Sequence, residues 1–175
     1  MYKLKQVIYY ILLKSGQKRT RSDLAKLVYY SDTVFFQRHS STISKERYIH
    51  LEDCPQAFSF VGAIAEMNEE GLIDIGLDII PGRMPGFLFS IKNTEYEIEL
   101  EKEERRIIQK VLKAFPESVV DENRHYPNLY ETYVVTPVFS EIKITKDTIN
   151  TKIHFHKKKS LLSFSGKIFR VFYEE

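Results

Sequence analysis

Apolar positions recur at helical spacing in four stretches of the chain and alternate with polar ones in the stretches between. In the first, Leu4, Val7, Ile8, Ile11 and Leu12 line one side of a helix from Tyr2 to Lys14, which Ser15-Gly16 stops. The second, from Thr20 to Ser41, carries Leu24, Leu27, Val28, Val34 and Phe35. Thr20 and Asp23 make a capping-box-like start, and Tyr29, Tyr30 and Phe36 widen the stripe beyond what a surface helix needs. This helix is expected to lie at the centre of the fold. Thr42 to Leu51 then reads as an extended connection that sends Ile43, Tyr48 and Ile49 into the core.

A third helix is expected with Asp53 as its cap and Pro55 in its first turn; Phe58, Val61, Ile64, Ala65 and Leu72 would be buried, and Gly71 would end it. From Leu72 to Ile80 the period changes to two. Ile73, Ile75, Leu77 and Ile79 share one side of a half-buried strand, Asp74, Gly76 and Asp78 the other. After the Gly/Pro-rich turn at Pro81 to Gly86, Phe87 to Ile91 completes a hairpin. Tyr96, Ile98 and Leu100 suggest another short strand. The acidic start Glu101, Glu103 and Glu104 then opens a fourth helix that buries Ile107, Ile108, Val111, Leu112 and Phe115. From Thr132 onward β-branched and aromatic residues predict three strands. The fold class is therefore α+β: an N-terminal helical domain with a β-hairpin, then a helix and a small C-terminal antiparallel sheet.

The totals narrow the chemistry. The 175 residues are 43% hydrophobic, enough for a sizeable core, and a net charge of +2 announces neither a nucleic-acid nor a membrane partner. Cys54 is the only cysteine, and no signal peptide or membrane span is recognisable, so the reducing cytoplasm is the expected compartment. Phosphate loops, paired-cysteine metal motifs and nucleophile motifs are absent. Lacking a base, Cys54 is read as a small, semi-buried residue. His154 and His156 share one face of a predicted strand but have no carboxylate or cysteine to complete a metal site. Glu66, Glu69, Glu70, Glu101, Glu103 and Glu104 have the positions of helix-surface and dipole charges, and no catalytic acid/base pair can be singled out. No enzyme activity, cofactor or metal is expected.

The order of helix, turn and LAKLVYYSDTVFFQRHSSTISKERYIHLEDCPQAF resembles the SocA-like antitoxin family, also called the Panacea domain. Lys26-Leu27, Tyr29-Tyr30 and Asp32 match its pattern of a lysine-leucine pair followed by an aromatic and an acidic residue; Ile43 and Tyr48 match the Ile/Leu and aromatic that follow. Cys54-Pro55 stands where the family has Gly-Pro, and Ser40-Ser41 where a glycine is usual. Phe115, His125 and Tyr130 fit its downstream helix and histidine-containing segment. The resemblance covers residues 1–130, with the hairpin at 72–92 inserted, and leaves 131–175 as a β-rich extension. It implies the antitoxin of a bacterial or prophage toxin–antitoxin pair, neutralising by direct binding a toxin encoded by a neighbouring gene. Tyr29, Tyr30 and Phe36 are the expected partner-binding anchors, since large rigid aromatics dominate interfaces. The alternative is a winged-helix-like DNA-binding regulator, in which Lys18, Arg19, Arg21 and Arg83 would meet phosphates. Glu66, Glu69 and Glu70 count against it, because they would face phosphate from the helix before the wing.

Overall fold

The computed structural model describes residues 2–79, 85–116 and 132–145. Its elements, in chain order, are α1 (Tyr2–Ser15), β1 (Arg19–Thr20), α2 (Arg21–His39), β2 (Tyr48–His50), β3 (Pro55–Ala57), α3 (Phe60–Glu69), β4 (Ile73–Asp78), β5 (Gly86–Ile91), α4 (Lys102–Ala114) and β6 (Glu141–Ile142), with a helical turn over 132–135. One antiparallel sheet has the order β1-β5-β4 and the other β3-β2-β6, so the chain is α+β.

Two helices share the centre. α1 packs against α2, α3, α4 and β5, and every residue from Leu4 to Leu12 is buried, polar ones included. Burying Lys5 and Gln6 requires partners, and both have them. Lys5 Nζ reaches Glu70 Oε1 at 2.6 Å and Glu66 Oε2 at 3.3 Å, which fastens α3 to α1. The Gln6 amide donates to the Glu97 carbonyl at 3.2 Å and accepts from the Glu99 N–H at 2.9 Å. Tyr9 donates to the Asn93 carbonyl at 2.8 Å. The stretch through Tyr96, Ile98 and Leu100 is thus held by side chains of α1 and forms no strand, contrary to its alternating pattern.

The start of α2 follows its sequence, with the Thr20 hydroxyl accepting from the Asp23 N–H at 3.2 Å. At its other end Ser40 takes a left-handed conformation (φ 55°) and donates to the Phe36 carbonyl at 2.8 Å. A left-handed helix cap favours glycine, which has no Cβ to crowd the carbonyl. α4 buries Ile107, Ile108, Val111, Leu112 and Phe115 as its spacing predicts. α3 does not follow its prediction: Pro55 opens β3, and the helix begins only at Phe60. Its buried face is Phe60, Ala63, Ile64 and Met67, which leaves Phe58, Val61 and Ala65 outside.

The hairpin runs in continuous register from Ile73 opposite Ile91 to Asp78 opposite Gly86. It departs from the expected half-buried strand, because along β4 only Ile73 is covered. Of the three strands predicted after Thr132, the first is reduced to β6, which pairs with β2, preceded by the helical turn. Tyr133 in that turn donates to the Leu51 carbonyl at 2.6 Å. The other two lie outside the described residues, as do His125, Tyr130, His154 and His156.

Candidate functional site

The residues predicted to carry function mostly build the interior. Tyr29 and Tyr30 are buried: Tyr29 meets Tyr48 edge-on with ring centroids 5.1 Å apart, and Tyr30 stacks on Phe115 at 5.3 Å. Neither can anchor a partner of the folded chain; of the three expected anchors only Phe36, half-buried, reaches the surface. The signal was ambiguous for a physical reason: a helix packed on two sides and a helix with a sticky outer face show the same wide aromatic stripe.

Asp32 sits in the same interior. Its carboxylate accepts from the N–H groups of Ile43 at 2.8 Å and Ser44 at 2.9 Å, from the Tyr48 hydroxyl at 2.6 Å, and from the Ser44 hydroxyl. One acidic side chain of α2 thereby fixes the path of the connection into β2. Burial pushes the Asp32 carboxyl above the usual range against the pull of these donors. Every donor comes from a core-facing backbone or hydroxyl group, so Asp32 acts as a structural clamp.

Among the described residues, Lys18, Arg19 and Arg21 do not converge on a cationic surface. Lys18 is exposed, but Arg19 is buried and its guanidinium donates to the carbonyls of Phe115 at 3.3 Å and Pro116 at 3.1 Å. A cation before α2 opposes that helix's dipole; Arg19 instead serves the carbonyl end of α4, where a positive charge is stabilising. Arg21 is ion-paired with Asp53 and donates to Gln56 Oε1 at 2.7 Å. Arg83 lies outside the described residues. Cys54 is fully buried, and burial followed by the neighbouring Asp53 pushes its thiol up to about 12, which removes it as a nucleophile at neutral pH. Among the described residues no group of three or more His, Cys, Asp or Glu side chains is placed to hold a metal ion. No helix among them is long and apolar enough to cross a membrane.

What the fold leaves outside is a different set of residues. Opposite residues of an antiparallel pair point to the same face. Ile73, Ile75 and Leu77 therefore share one face of the hairpin with Ile91, Phe89 and Phe87. At its base that face is covered, since Ile73 and Phe89 are buried. Toward its tip Ile75, Leu77, Ile79 and Phe87 are between 40% and 73% exposed, as are Phe58 and Val61 of the neighbouring α3 region. Between hairpin and helix runs an open groove of about 280 Å³, lined by Phe60, Val61, Ile64 and Ala65 from α3 and by Ile75, Phe87 and Phe89, with Arg21 at its side. The small side chain of Ala65 keeps the helix wall low there. A contiguous apolar surface built on two regular elements marks an interaction site more often than chance exposure. The sequence did carry a sign of it: α3 has more apolar positions than one buried face can hold, and the period-two run continues to Ile79, past the last covered residue.

No protein-family model matches the chain, and no curated protein or solved structure matches it.

Proposed function

We propose that this chain is an antitoxin that binds and neutralises a toxin encoded by a neighbouring gene in the cytoplasm. It acts by occupying the toxin's surface, not by chemically modifying it. The observation that carries the reading is the exposed apolar face of the hairpin and α3, with its groove. The direct-binding part rests on that face; the toxin as partner rests on the resemblance of Lys26 to Pro55 to SocA-like antitoxins. Large apolar side chains grouped around a pocket are what supplies most of the energy in protein interfaces. The docking surface is accordingly the hairpin, and not Tyr29 and Tyr30. Co-expression of the full chain with its neighbour's product tests this. The expected result is rescue of growth together with a complex that co-purifies; rescue without any complex would exclude direct neutralisation, and a harmless neighbour would remove the antitoxin role.

A further inference from the structure

β4 is an edge strand: β5 pairs with one side of it, and among the described residues nothing pairs with the other. The alternate N–H and C=O groups of such an edge point away from the sheet and can pair with another chain. Natural edges are commonly blunted by charged side chains, lysine above all, by a proline, a bulge or a covering element, and the charges of β4 are Asp74 and Asp78. β4 has no lysine or proline, and its register with β5 is unbroken. Its two faces differ. Ile75 and Leu77 line the apolar side, while Asp74 and Asp78 stand on the opposite side; Asp74 makes a solvent-exposed contact of 3.6 Å with Lys92.

We propose that this edge accepts an extended segment of the partner protein, about five residues long, in which apolar residues alternate with lysine or arginine. The inference rests on the reading of the hairpin as a protein-binding face and specifies what that face recognises. Added as a fourth strand of the sheet, the segment would lay its apolar side chains over Ile75 and Leu77 toward the groove. Its cations would stand opposite Asp74 and Asp78, a favourable cross-strand pairing. In the register centred on Gly76 the same charges oppose pairing with a second copy of this chain. Antiparallel self-pairing centred on Gly76 keeps the apolar faces together but sets Asp74 of each copy against Asp78 of the other, and like charges directly opposite are destabilising. Shifting by one residue places apolar side chains opposite the aspartates, whereas shifting by two sets Asp74 against Gly76 and is not opposed by charge. The edge thus attracts a basic strand and repels its own copy in the centred register, and such a combination is how specificity is commonly built.

The test uses the isotope-labelled full chain and blocked seven-residue peptides that alternate valine or isoleucine with lysine. Controls replace the lysines with glutamate, or N-methylate alternate backbone nitrogens so that they cannot donate. The lysine peptide is expected to shift the amide resonances of residues 74–78 and to bind at least about tenfold more tightly than the glutamate peptide. N-methylation should abolish binding, and the double substitution Asp74→Lys, Asp78→Lys should reverse the preference. If all peptides bind alike and Leu77→Asp removes them, strand pairing is overturned while the protein-binding face survives. Binding indifferent to Leu77→Asp as well would overturn both. Two further results would also refute a partner strand: protection of the β4 edge amides from hydrogen exchange in the free chain, or a dimer that dissociates on Leu77→Asp.

Discussion

α2 and the β4–β5 hairpin are built from the same kinds of residues and put them to opposite use. In α2, Tyr29, Tyr30, Leu27 and Val28 are covered on all sides, and Asp32 is matched by four donors. In the hairpin an equally apolar face is covered at its base and open toward its tip. The contrast teaches that an apolar stripe records only that something must cover it. Whether the cover is the same chain or another depends on tertiary neighbours, which the periodicity of one element does not contain.

The comparison is broken most forcefully at Asp32. Asp32→Ala would strand two backbone N–H groups and two hydroxyls in the interior. At about 1–3 kcal/mol for each buried group left unsatisfied, a loss of about 4 kcal/mol or more is expected in chemical denaturation. The pH dependence has a definite sign. Burial raises the folded value of this carboxyl, so its contribution is complete below the ordinary aspartate value of about 3.9 and is lost as pH rises through the folded one. The stability gap between wild type and Asp32→Ala should therefore narrow with increasing pH.

Leu27→Ala and Ile64→Ala come next, each removing a buried aliphatic side chain, with losses of about 2–5 kcal/mol expected from the same denaturation curves. Both residues are buried as their helical spacing implied. Leu27 lies on the helix that packs against α1 and α4, and Ile64 on the one that packs against α1 and β4. Arg19→Ala should cost about 1–3 kcal/mol through loss of its charged hydrogen bonds at the end of α4. A thermal melt of this variant would separate that structural role from phosphate binding. At the bottom of the series, Leu77→Ser and Val61→Ser should change stability by no more than about 0.5 kcal/mol, the usual range for surface positions. A loss like that of Leu27→Ala would mean that the hairpin face is core.

Legibility in the sequence followed the locality of the forces. α1, α2 and α4 were readable because a cap, an acidic first turn and a 3.6-residue stripe are local signals. The hairpin was readable from its alternation and its Gly/Pro-rich turn. The start of α3 was not, since Pro55 suits a helix start and an edge strand equally, and its pairing with His50 decides the matter. The role of Arg19 was hidden for the same reason, because its carbonyl partners lie nearly a hundred residues away at Phe115 and Pro116. The candidate site was half visible: its residues were recognised as apolar, but as core.

On the proposed function, the outer face of the hairpin binds protein while α2 only supports it. The most direct test is isothermal titration of the neighbouring gene's product with the full chain and with Leu77→Asp, Phe87→Ser, after denaturation has confirmed that the variant stays folded. The expected result is a weakening of at least about a hundredfold, the scale that follows when central apolar anchors are lost. Unchanged affinity in a folded variant would contradict it.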